Sequence, residues 1–196
     1  MPMILINAAN QYAEKLAKLV SAEPTTGVRR GIFDNIDKSK LKNQPVLNVF
    51  DEKNENLRRI FPDACESHYQ VFQKLLTRLV DMVPAMSRFV GDKDNLISDR
   101  MLAASAIFYL ITPFDIIPDD EGLAGAIDDA LVTFRLAQNM FEPSDEIEAL
   151  LEETRELVRE VENGLPEWVT SAISRAVKSA VYQQQTFENS QKKGGI

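Results

Sequence analysis

The sequence predicts an all-α protein, a compact bundle of six or seven helices with an irregular N-terminal region. Two observations carry this. Segment after segment repeats apolar residues at helical spacing, and only one short stretch alternates as a strand would. The chain has 196 residues, 44% of them hydrophobic and 27% charged, which is enough to bury a core and argues against a disordered chain.

The first helix is predicted from Ala8 to Val20, with Tyr12, Leu16, Leu19 and Val20 on one stripe. Residues 22–44 are broken by Pro24, Gly27 and Gly31, leaving room for a short helix near Asp34 to Leu41. Residues 45–50 alternate but are too few to read as a strand, and Asp51 caps a predicted helix to Ile60. Asp63 opens a long helix to Val83, on which Tyr69, Phe72, Leu75, Leu76, Leu79 and Val83 share a face. Pro84 is predicted to kink or end it. Ser98 or Asp99 is the expected N-cap of a helix over 100–111, apolar on every side and therefore central. After the turn PFDIIPDDEG, a helix over 123–141 carries Leu123, Ile127, Leu131, Phe134, Gln138 and Phe141 on its stripe. These two helices form the predicted central hairpin.

Ser144 caps the next helix, with Asp145 and Glu146 in its first turn. Its docked stripe is Ile147, Leu150, Leu151, Leu157, Val158 and Val161, opposite an acidic solvated face. Pro166 starts a last helix to about Gln184, carrying Val169, Ile173, Val177 and Val181. Trp168 reads as its docking residue.

Charge divides the chain. The net of −8 comes from 22 basic and 30 acidic residues. Residues 1–62 are net basic, 63–141 and 142–165 acidic, and 166–196 slightly basic. The predicted organisation is a helix with a basic extension over 1–62, a helical core over 63–141, two C-terminal helices packed on it over 142–190, and a disordered tail over 191–196. The net acidity argues against a broad grip on nucleic acid. One cysteine excludes an intramolecular disulfide and suits a reducing compartment. No secretory signal is read at the N-terminus. The apolar run from Met101 to Pro118 is interrupted by Asp115 and two prolines, and falls short of the roughly 20 residues of a spanning helix. The expected location is cytoplasmic.

Most catalytic signatures are missing: no phosphate-binding glycine loop, no nucleophile elbow, no paired-histidine zinc motif. Cys65 and His68 are three apart. They are too few to hold zinc, and as a nucleophile pair they lack any oxyanion-hole signal, so packing residues are the better reading.

One constellation is a candidate for chemistry. Residues 109–129 read YLITPFDIIPDDEGLAGAIDD, with six carboxylates from Asp115 to Asp129. Asp128 and Asp129 flank the core stripe of a helix with almost no other charge, so they face burial and need hydrogen bonds, a proton or a cation. Three solutions follow. In the first, Asp119 or Asp120 caps the helix, Asp115 closes the turn, and Asp128 and Asp129 bond to a helix end or to Arg100 or Arg135. In the second, Asp115, Asp119 and Asp129 hold Mg²⁺ or Mn²⁺. In the third, the cluster is a solvated surface for a basic partner. The first is preferred, so no cofactor is expected.

The stretch Tyr109-Leu-Ile-Thr-Pro113-Phe-Asp115-Ile-Ile-Pro118-Asp119, eight further residues and Asp128-Asp129 resembles the YkvA-like family of bacterial proteins of unknown function. Gly125 holds that pattern's glycine. Thr112 replaces its usual serine, and Asp120-Glu121-Gly122 replaces an apolar pair and a third proline. The resemblance covers about residues 98–138. It implies Pro113, Asp115, Pro118, Asp119, Gly125, Asp128 and Asp129 as motif positions and implies no reaction.

The functional expectation is an accessory or interaction protein with protein partners, including copies of itself. Arg29, Arg30, Lys38, Lys40 and Lys42 form a basic stretch suited to meet the acidic helix over 145–162. The alternatives are a metal-dependent hydrolase, acting on a phosphoester through the aspartates, and a peripheral membrane module using the apolar 101–118 stretch.

Overall fold

The computed structural model describes residues 3–21, 66–112, 116, 126–165 and 167–194. Among them are six α-helices and no strand: α1 (Met3–Ser21), α2 (Glu66–Gly91), α3 (Ile97–Leu110), α4 (Ala126–Ala137), α5 (Asp145–Gly164) and α6 (Glu167–Gly194). The protein is an all-α bundle. The short helix near 34–41, residues 45–50, the helix over 51–60, the basic stretch at 29–42 and Cys65 lie outside the described residues.

α2 is the axis of the packing. It touches α1, α3, α4 and α5. Its buried face runs from Phe72 through Leu75, Leu76, Leu79, Met82 and Val83, then continues past the proline with Ala85, Met86, Phe89 and Val90. Pro84 was expected to kink or end the helix; it lies inside it, and the helix runs on to Gly91. An interior proline costs about 3 kcal/mol through its lost hydrogen bond and steric clash. Burial beyond it, at about 1.5–3 kcal/mol for each large side chain, outweighs that cost. The helix then ends cleanly. Asn95 Nδ2 donates to Phe89 O at 2.9 Å and Arg100 Nε donates to Val90 O at 3.0 Å, meeting two last-turn carbonyls.

α3 and α4 pack on each other, and each also touches α2 and α6, so the central hairpin is present. Its boundaries differ from expectation. α3 begins at Ile97 with Leu96 at the N-cap and no side-chain cap bond, because Asp99 is used elsewhere. Nor is α3 buried on every side. Leu102, Ala103, Ala106, Ile107 and Leu110 face the core, while Ile97 and Phe108 are 56% and 59% exposed. α4 stops at Ala137 rather than 141. The buried carboxylate of Asp99 accepts the backbone N–H of Phe141 at 3.0 Å and of Glu142 at 2.8 Å, and this holds the chain in the turn that leads to α5. Phe141 is therefore exposed rather than part of the stripe. Within α4, every residue but Arg135 is buried.

α5 starts as read: Ser144 Oγ accepts from Ile147 N, and Ile147, Leu150, Val158 and Val161 are buried. Its outer face is acidic and laced with ion pairs. Arg78–Glu153 and Arg88–Glu146 tie it to α2, and a two-pronged Arg135–Glu162 pair ties it to α4. α6 docks through Val169, Ile173 and Val177. Trp168 is 40% exposed and does not lead that docking. The helix carries on past Gln184 to Gly194, taking in residues 191–194 of the segment expected as a tail. Once formed, a helix adds one hydrogen bond for each further residue it fixes, and the glutamines and lysines here are good helix formers. One core cluster extends from Ala9 in α1 to Val177 in α6.

Candidate functional site

Asp128 and Asp129 sit in the first turn of α4, and both are fully buried. Consecutive helical residues point about 100° apart, so the two carboxylates serve different neighbours. Asp128 Oδ2 accepts from Tyr109 Oη at 2.8 Å and from Ile116 N at 3.0 Å. It therefore joins the end of α3 to the chain that follows it. Asp129 Oδ2 accepts from Tyr12 Oη at 2.5 Å and joins α1 to the hairpin across 117 positions of sequence. Together the two residues tie α1, α3 and α4 at one point.

The electrostatics fit this role. The positive end of the α4 dipole favours negative charge in its first turn. Burial, then the charge and hydrogen bond of Asp128, push the Tyr109 phenol well above its usual pKa. Tyr109 therefore keeps the proton it donates.

Neither arginine suggested as a partner for the pair has that role. Arg100 closes α2 through Val90 O, and Arg135 turns to Glu162 and Gln138. Tyrosine hydroxyls, with the Ile116 amide, stand where a helix end or a guanidinium was expected. Sequence reading placed Tyr109 in the motif and Tyr12 on an apolar stripe, and assigned neither hydroxyl a partner. The available signal was general: a half-buried tyrosine on a docked face needs an acceptor, and the nearest buried acceptors were these aspartates.

Of the remaining motif residues, Pro113, Asp115, Pro118, Asp119 and Gly125 lie outside the described residues. The proposed ligand set of Asp115, Asp119 and Asp129 is thus represented by Asp129 alone, whose Oδ2 accepts from Tyr12. Among the described residues no group of three or more His, Cys, Asp and Glu could hold a metal ion.

The arrangement spans most of the hairpin, and one family covers the same stretch. Residues 99–134 match a family described as a protein of unknown function (DUF1232). That supports an uncharacterised family domain over the segment where the motif lies. No curated protein and no solved structure matches the chain. The DUF1232 segment opens on Asp99 and contains Tyr109, Ile116, Asp128 and Asp129, so the Asp128 tie is internal to it, while Asp99 reaches out of it to the amides of Phe141 and Glu142. Tyr12 is not. The bond to Asp129 is where a helix outside the segment is attached to it.

Proposed function

We propose that the protein is a cytoplasmic helical accessory protein that works through contacts with other proteins. One observation carries this reading. The paired aspartates of the motif act as acceptors that lock helices together, each accepting a hydrogen bond from a tyrosine hydroxyl. Carboxylates used in this way build a scaffold, and a scaffold offers its surfaces. Several amphipathic helices with charged outer faces suit that role. Among the described residues no helix is long and apolar enough to cross a membrane. The net charge of −8 opposes docking on anionic lipid.

The alternative, a Mg²⁺- or Mn²⁺-dependent hydrolase acting on a phosphoester, needs Asp129 to turn from Tyr12 to a cation. Calorimetric titration of Mg²⁺ and Mn²⁺ into the full chain and into Asp129→Asn separates the two, with thermal midpoints recorded alongside. The scaffold reading expects no stoichiometric uptake and a lowered midpoint for Asp129→Asn. Phosphoesterase turnover that vanishes on chelation, with an unchanged midpoint in the variant, would overturn it. Affinity purification of the tagged chain should return a specific protein partner.

A further inference from the structure

We infer that Asn163 is a site of spontaneous modification, where the side-chain amide closes on the main chain of Gly164 and its nitrogen is lost as ammonia. Its conversion weakens the end of α5. The inference goes beyond the scaffold reading and does not depend on it. Asparagine is among the thermolabile residues of a protein. Its weak point is the backbone nitrogen of the next residue, which can attack the amide carbon when nothing crowds the approach. Glycine, with no Cβ, leaves that approach open. Asn163-Gly164 is the one asparagine–glycine step in the sequence.

The surroundings favour the same site. Asn163 and Gly164 are both exposed. The Asn163 side-chain amide has no hydrogen bond among the described residues, whereas those of Asn95 and Asn139 donate to Phe89 O and Arg135 O. Asn189 in α6 is exposed as well, but the residue after it is Ser190, which carries a Cβ. Asn163 also stands at the end of its helix. α5 closes at Gly164, and Leu165 at the C-cap is extended, with φ −92° and ψ 147°. The Leu165 N–H reaches Glu162 O at 3.2 Å, the tighter pattern of a last turn. Asn163 O is among the last four carbonyls of the helix, which no intrahelical N–H meets. Turning the Asn163–Gly164 peptide toward the side chain therefore breaks one helical bond, that of the Gly164 N–H. Such ends fray, and no basic residue in the last turn steadies the negative end of the dipole.

The Gly164 nitrogen gives up its proton and bonds to Asn163 Cγ. The amide Cγ–N bond breaks and ammonia leaves. Water then opens the imide ring. Attack at Cγ gives aspartate on an unchanged main chain. Attack at the main-chain carbonyl gives isoaspartate, whose backbone runs through the side chain and is a methylene longer. Either product puts negative charge at the negative end of α5, beside Glu162, which pairs with Arg135 of α4. Isoaspartate also shifts the path into buried Leu165.

Ageing the full chain in mildly alkaline buffer tests this. Trypsin releases residues 160–175, in which Asn163 is the only asparagine. This peptide should gain the mass of an amide turned acid and split into aspartate and isoaspartate forms, ahead of the peptides carrying Asn95, Asn139 and Asn189. The aged chain should take up label from an isoaspartyl methyltransferase. Gly164→Ala should abolish conversion over the same period with circular dichroism unchanged. Asn163→Asp, which adds the charge alone, should have a lower thermal midpoint than Asn163→Gln. An unconverted 160–175 peptide from the folded chain overturns the proposal; conversion in the urea-unfolded chain would then show that the helix end protects it. Equal conversion in wild type and Gly164→Ala overturns it too, as does earlier conversion at Asn189. Equal midpoints for Asn163→Asp and Asn163→Gln overturn the weakening of α5 by charge.

Discussion

Two buried hydroxyl groups on the hairpin behave oppositely, and the difference is measurable. Thr133 is fully buried on α4, and its Oγ1 has no hydrogen-bond partner among the described residues. A buried polar atom left unmet costs about 1–3 kcal/mol, so Thr133→Val should raise stability by about 1 kcal/mol. The check is a higher urea midpoint with an unchanged denaturant slope. Tyr109, by contrast, donates to Asp128, and burial beside that carboxylate raises its pKa. In the unfolded chain the phenol ionises near pH 10. Below that pH both states hold the proton and the contribution is fully present. Above it the unfolded chain binds fewer protons than the folded one, so stability falls as pH rises. Urea unfolding at about pH 9 and about pH 11 should show this fall in the wild type and a shallower one in Tyr109→Phe. A fall of equal size in both proteins would mean that other groups govern it.

At the scale of the helix, what could be read from sequence depended on whether the deciding contact was local. The start of α5 was legible because Ser144 and its acidic first turn act within four residues. The burial of Asp128 and Asp129 was legible because the 122–141 stretch is otherwise nearly uncharged. Their partners were not, since Tyr12 is 117 positions away and nothing local singles it out. The end of α4 was misplaced for the same reason: Asp99, 42 and 43 positions earlier, holds the amides of Phe141 and Glu142. α2 shows a local rule overridden by packing. Pro84 breaks the hydrogen-bond ladder, but the helix goes on because Met86, Phe89 and Val90 have a core to enter. The proline is therefore a local loss held in place by its neighbours. Pro84→Ala restores the N–H and removes the ring, and should stabilise the protein by about 1–3 kcal/mol. Thermal and urea unfolding would register this; a lower midpoint would show instead that the ring's packing matters more than the missing bond.

For the molecule as a whole, α1 is attached differently from the rest. It touches α2 and α3, while α5 packs on α2 and α4. Among its residues whose burial is described, Ala9, Ala13, Leu16 and Val20 are buried, and polar ties run from Tyr12 to Asp129 and from Gln73 Nε2 to Val20 O. α2 and α4 bury many large side chains, and α5 is further tied by arginine pairs. A helix held by few large contacts opens before the core does, as a separate low-energy unit. Native-state hydrogen exchange should therefore show the α1 amides opening at a lower free energy than those of α2 and α4. Tyr12→Phe removes the hydrogen bond to Asp129 Oδ2, and a buried acceptor atom left unmet costs about 1–3 kcal/mol. It should lower the α1 opening energy by about that amount and leave the protection pattern of α5 and α6 in place. If protection instead fell equally in all six helices, α1 would be part of the single cooperative core. The Tyr12–Asp129 bond would then support the whole fold rather than fasten one helix to the segment that carries the family motif.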